Sequence, residues 1–180
     1  MLDTPIRRKY LLGASGSALI GLMLATSVDA ANPEPIVVQV AFVAPITITE
    51  TNPLEFGSLD VAMGIGEQVI IGPDNSLSDT GANVLGGTQA AATANVVATP
   101  GRAINILVDA VTVPPGVGYF LTAWLCDYDG GTIGACDGAG LSETSAAGTR
   151  VVRVGVTLES DAAPVAGDQD GGFELTVAYE

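Results

Sequence analysis

Residues 172–180, GFELTVAYE, put Phe173, Leu175, Val177 and Tyr179 on one face at period two and Glu174, Thr176, Ala178 and Glu180 on the other. That is the pattern of a half-buried β-strand lying at the end of the sequence. A terminal strand patterned this strictly either closes a core or offers an edge to a partner. Working back from it, RVVRVGVTLE (150–159) alternates in the same way, and GYFLTAWLC (118–126) carries most of the aromatics. AINILVDAVTV (103–113) and TANVVATP (93–100) are split by Pro100-Gly101, and Pro114-Pro115-Gly116 ends the former. EQVII (67–71), LEFGSLDVA (54–62) and ITITET (46–51) read as strands, as does IVVQVAFV (36–43). Gly72 to Gly87 is rich in Gly, Asn, Asp and Ser and reads as a loop or hairpin region. An Ala/Ser/Gly-rich connector lies between the cysteine loop and Arg150. Eight to ten strands with no amphipathic helix argue for an all-β, immunoglobulin-like antiparallel sandwich, with a small barrel as the alternative.

The start of the sequence bears on compartment. Arg7, Arg8 and Lys9 precede an apolar run from Tyr10 to Ala25, and Val28 and Ala30 supply small residues three and one positions before a cut. This is the layout of a secretory signal peptide over residues 1–30, with cleavage after Ala30. The run falls short of the about 20 residues of a membrane span and is diluted by Gly13, Ser15, Gly16 and Ser17. Residues 31–180 then form a single sandwich domain, exported to the periplasm and onward to the cell surface or medium. Nothing after the leader reads as a membrane span. The leader removes three of the six basic residues together with Asp3 and Asp29. Arg102, Arg150 and Arg153 remain against eighteen acids, a net charge of −15 (3 − 18). Nucleic acid and anionic membrane are poor partners for such a surface.

The chain has no His, and its one Lys is Lys9. Ser-His-Asp and Cys-His catalysis need an imidazole, and a Ser-Lys dyad or Schiff base needs an amine, so neither can be built in the mature domain. Paired carboxylates of the glycosidase kind remain chemically available. The acids, however, are scattered through turn-like segments, and few aromatics beyond Trp124 could floor a sugar site. No enzyme activity and no cofactor are expected.

Cys126 and Cys136 bracket DYDGGTIGA, and in an exported chain such a pair reads as a disulfide holding a hairpin tip. Asp127-Tyr-Asp129-Gly-Gly and Asp168-Gln-Asp170-Gly-Gly share the pattern D-x-D-G-G. Calcium would accept these oxygens, but neither stretch continues to a later bidentate Glu, and Asp-Gly is a common hairpin-turn signal. Asp127, Asp129, Asp168 and Asp170 are therefore weak calcium candidates, and no firm metal site is expected.

VVQVAFVAPITITETNPLEFGSL, followed much later by VRVGVTLESDAAPVAGDQDGGFELTVAYE, resembles the secreted bacterial domain-of-unknown-function 4402 family. Members look like PITIT-x-T-x-x-L-x-FG near the mature N-terminus and AG-x-(Y)-x-G-x-F-x-(V)-T-V-x-Y at the end. Here Asp168-Gln169 stands where a Thr-Tyr is usual. That family is similar to spore-coat-U-like and archaic chaperone–usher pilins, which are immunoglobulin-like sandwiches. Such subunits end with a penultimate aromatic, here Tyr179, and a Gly fourteenth from the end, here Gly167. The resemblance implies a structural subunit of a surface fibre, pilus or coat that assembles by β-strand addition. Gly167, Phe173, Leu175, Val177 and Tyr179 would form the strand-exchange edge met by a periplasmic chaperone. Ile36, Val38, Val40 and Phe42, within a donor segment 31–44, would fill the groove of another copy, with an outer-membrane usher as further partner. The alternative is a stand-alone secreted or cell-surface binding module with weak calcium dependence.

Overall fold

A computed structural model describes residues 42–180. Its strands are β1 (Thr47–Asn52), β2 (Ser58–Leu59), β3 (Gln68–Ile71), β4 (Leu77–Asp79), β5 (Val84–Gly86), β6 (Ala92–Val97), β7 (Ala103–Thr112), β8 (Tyr119–Tyr128), β9 (Gly134–Ala135), β10 (Leu141–Thr144), β11 (Thr149–Ser160) and β12 (Gly172–Tyr179). The described residues contain no helix, and every strand pairing is antiparallel. The leader expected over residues 1–30, and Ile36, Val38 and Val40 of the expected donor strand, lie outside the described residues.

The larger sheet is organised around β11. Residues 149–154 of β11 pair with β6, residues 156–159 pair with β3 on the same side, and β8 lies along the opposite side. β1 is added beyond β6, β4 beyond β3, and β9 beyond β8. The handover between β6 and β3 falls at Gly155, where a Cβ would run into the Ile71 carbonyl oxygen and the Pro73 nitrogen. Only a residue without a side chain lets the two partner strands meet there. A bulge in β8 with Ala123 at φ 50° accompanies the register shift between Gly155 and Thr157.

The smaller sheet is β10-β7-β12, and the two sheets pack as a sandwich. β7 contributes Ile104, Ile106 and Val108, β8 contributes Trp124, Cys126 and Tyr128, and β11 contributes Val152, Val154 and Val156 to one buried core. Each branched side chain of this kind gains roughly 1.5–3 kcal/mol from leaving water. Met63, Val69 and Leu158 form a second small cluster with Phe56, Leu59, Val84, Tyr119 and Leu121 packed on it. Neither sheet closes on itself, so the barrel alternative is not realised.

β12 keeps the alternation read from the sequence, with Val177 buried and Phe173, Leu175 and Tyr179 packed on the same core. Several short elements depart from the expectation. Residues 54–62 contain only the two-residue β2, paired with β5, and a lone bridge from Glu55 to Ala90. The Gly72–Gly87 stretch, read as a loop or hairpin region, holds β4, which forms a hairpin with β3, together with β5, and the connector after the cysteine loop holds β10. These pieces take strand geometry from their partners, since Leu-Ser-Glu-Thr has little of its own to bury. Phe42 and Val43, expected to end a strand, lie outside any strand, and Phe42 is 92% exposed.

Candidate functional site

β1 is one edge of the large sheet and β12 one edge of the small one. A cleft of about 1200 Å³ opens between them. Ile48 and Glu50 line it from β1, and Phe173 and Leu175 line it from β12. Ala92, Leu121, Val154 and Leu158 line it from the large sheet, with Phe56 from the segment after β1. Register explains which β1 residues face inward. Ile48 lies opposite Val96 and Glu50 opposite Ala94, and both β6 residues are buried. Yet all six residues of β1 are exposed. An inner-face residue in a covered sandwich would be shielded by the opposite sheet, so the exposure of Ile48 marks a place the small sheet does not reach.

The two ends of the cleft differ. At one end the turn before β12 passes Gly167, whose φ of 114° suits a residue without a Cβ, then Asp168 and Asp170. Burial, and then the charge of Asp170, push the Tyr119 phenol above its ordinary pKa. Near this end Phe173 meets Trp124 with ring centroids 4.9 Å apart, tilted by 48°. At the other end of β12 the Tyr179 hydroxyl accepts from the Thr99 amide at 2.7 Å and donates to the Ala44 carbonyl at 2.8 Å. Beside it a smaller recess of about 390 Å³ is lined by Val43, Arg102, Ala103, Tyr179 and Glu180.

Charge around the cleft has one sign. Glu50, Glu55, Asp60, Asp168, Asp170 and Glu174 line it, and among the described residues no Lys or Arg does. Of the three arginines among the described residues, Arg150 pairs with Asp129 at 2.7 Å and Arg153 with Asp127 at 2.8 Å. Arg102 lies at the smaller recess. Glu50 was not singled out from the sequence, although period two from Ile46 and Ile48 already places it on the inner face.

The two D-x-D-G-G stretches are not brought together as one site. Asp127 and Asp129 sit at the end of β8 and each holds an arginine, whereas Asp168 and Asp170 flank the cleft near Tyr119, where β8 begins. Asp127 is buried, and its Oδ1 has no hydrogen-bond partner. Among the described residues no three His, Cys, Asp or Glu side chains gather as a metal-binding group.

Cys126 and Cys136 form a disulfide, with Cα atoms 5.6 Å apart and both residues fully buried. The bond does more than hold a hairpin tip. Cys136 donates its amide to the Trp124 carbonyl of β8 at 3.1 Å, and its own carbonyl accepts from Val108 of β7 at 2.7 Å. One residue is thereby fastened to both sheets.

Chemically, the cleft offers two unpaired strand edges above an apolar floor, which suits the main chain of an extended segment better than a small polar molecule. No helix among the described residues is long and apolar enough to cross a membrane. The chain belongs to the domain-of-unknown-function 4402 family, whose model matches residues 46–179. Comparison with curated proteins and with solved structures found no match.

Proposed function

We propose that this chain is an exported structural subunit of a bacterial surface fibre or coat that assembles by β-strand addition. The observation that carries the reading is the cleft between β1 and β12, flanked by two unpaired strand edges and floored by Ala92, Leu121, Val154 and Leu158. A strand laid there would pair its main chain with one or both edges and place alternate side chains on the floor. Its donor is the segment 31–43 of a second copy. Ile36, Val38, Val40 and Phe42 fall on one face of that segment, and its eight residues from Ile36 to Val43 match the eight of β12. Phe42, exposed in this structure, would be buried in the neighbour.

The resemblance to chaperone–usher pilins supports the same reading. β12, with Phe173, Leu175, Val177 and Tyr179 inward, is the edge a periplasmic chaperone would pair with before an outer-membrane usher delivers the subunit. The absence of His and of any Lys beyond the leader accords with an assembly role. The test is removal of residues 31–43 from the mature chain. Self-association, followed by light scattering and electron microscopy, is expected to disappear while the domain stays folded. Undiminished fibres or oligomers from the deleted chain would refute the proposal.

A further inference from the structure

The segment 31–43 joins the domain at one end of the cleft, beside an arginine that has no partner. Val43 lines the smaller recess together with Arg102, Tyr179 and Glu180. Ala44 is fixed there, its carbonyl accepting from the Tyr179 hydroxyl at 2.8 Å and its amide donating to the Thr99 hydroxyl at 2.9 Å. Arg102 is exposed, and among the described residues its side chain makes neither a salt bridge nor a hydrogen bond, whereas Arg150 and Arg153 are held by Asp129 and Asp127. The Glu180 carboxylate beside it accepts from the Ser142 hydroxyl. At the opposite end of the cleft, in the turn before β12, Asp168 and Asp170 are exposed, and neither is paired with an arginine.

Strand direction decides whether these two ends meet. Ala44, just before β1, is bonded to Tyr179 at the end of β12, so the two edges run in opposite senses along the cleft. A strand seated between them is antiparallel to one and parallel to the other. β12 has eight residues and β1 six, and antiparallel pairing is the more stable per residue, so the seated strand runs antiparallel to β12. Val43 of the donating copy then emerges where β12 of the receiving copy begins, beside its Asp168 and Asp170. Because Val43 lines the recess with Arg102, the guanidinium is carried to those carboxylates. The reverse direction would bring the donor's Arg102 to Arg102 of the receiving copy, setting like charges together.

Resting on the strand-addition reading above, we propose that successive copies meet end to end, with Arg102 of the copy that gives the strand against Asp168 and Asp170 of the copy that receives it. An exposed ion pair adds little affinity by itself. Its effect here is orientation, since it rewards one direction of the seated strand and penalises the other.

Charge reversal in the mature chain, followed by sedimentation and light scattering, tests the contact. Arg102→Glu alone, and Asp168→Arg with Asp170→Arg, should each raise the concentration needed for self-association about three- to tenfold, as attraction becomes repulsion between exposed charges. An equimolar mixture of the two variants should associate like the parent, because every unlike contact in it is again of opposite charge. Restoration by mixing is a result that damage within one subunit would not give. The parent's preference for this contact should also weaken at 0.5 M salt. Parent-like association of both variants overturns the contact, and so does a mixture no better than its components. In either case loss of association on deleting residues 31–43 leaves strand addition standing, whereas a parent chain that does not associate at all overturns both proposals.

Discussion

The Tyr179 hydroxyl donates to the Ala44 carbonyl at 2.8 Å while accepting from the Thr99 amide at 2.7 Å, so the end of β12 fastens the approach to β1 and the turn after β6. Edges belonging to different sheets are thereby held at one end of the cleft.

Replacing Tyr179 by Phe keeps the ring on the core and removes both bonds, leaving the Thr99 amide without its partner. We expect a loss of about 1–3 kcal/mol in urea unfolding. Amide exchange should rise first at Ile46 to Ile48, because the approach to β1 loses its anchor. Unchanged exchange there would show that the anchor is dispensable.

The disulfide links β8 to a residue that also accepts from β7, so its removal loosens the sandwich as well as the hairpin. Cys126→Ala with Cys136→Ala should cost about 2–5 kcal/mol. Exchange protection should fall at the Val108 amide in the small sheet in addition to the amide of residue 136, which donates to the Trp124 carbonyl. Loss confined to residues 126–136 would mean that the cysteine loop does not couple the sheets.

Gly155→Ala is expected to destabilise by about 2–4 kcal/mol, because the new methyl group meets backbone atoms of Ile71 and Pro73 that cannot swing aside. Thermal unfolding measures the cost directly. The same change at Gly148, where open space surrounds the added Cβ, should cost less, its positive φ being the remaining penalty.

Acid should act locally at Asp79. Burial works against its charged form, but the amides of Val84 and Gly81 and the Asn83 side chain more than offset this and hold its pKa below the ordinary value. A depressed folded-state pKa gives stability that is present above the unfolded value of about 3.9 and lost as pH falls through the folded value. Exchange at Gly81 and Val84, measured at several pH values and corrected for intrinsic rates, should lose protection below about pH 4. Asp79→Asn should flatten that dependence, and an equally steep profile in the variant would point to other carboxylates.

Much of this architecture is legible as alternation. Where apolar residues recur at period two for six or more positions, as in 149–160 and 172–179, burial on one face is strong enough for the strand to be read without its neighbours. β10 was not legible, because Leu141–Thr144 becomes a strand only through pairing with β7, and residues 54–62 read as a longer strand than β2, since only Ser58–Leu59 find a partner in β5. The cysteine pair was legible from compartment and spacing, but its hold on both sheets was not, since Val108 lies far from it in sequence. For the cleft, the patterns of β1 and β12 were readable singly. That both are edges, and that they face one opening, depends on which strands pair with which. Glu50 could have been found by extending the Ile46, Ile48 alternation one step.

If the sandwich lacks a strand that the segment 31–43 can supply, the melting temperature of a chain carrying this segment in cis will show it. Moving residues 31–43 from the N-terminus to a position after Glu180, joined by a short flexible linker, should give a monomer. It should melt several degrees above the chain from which the segment has simply been deleted, because seating the strand buries Ile36, Val38, Val40 and Phe42 on the cleft floor. Protection of the β1 and β12 amides should rise in parallel. A fused chain that melts with the deleted one, and whose edge amides exchange as fast, would mean that the sandwich is complete as it stands.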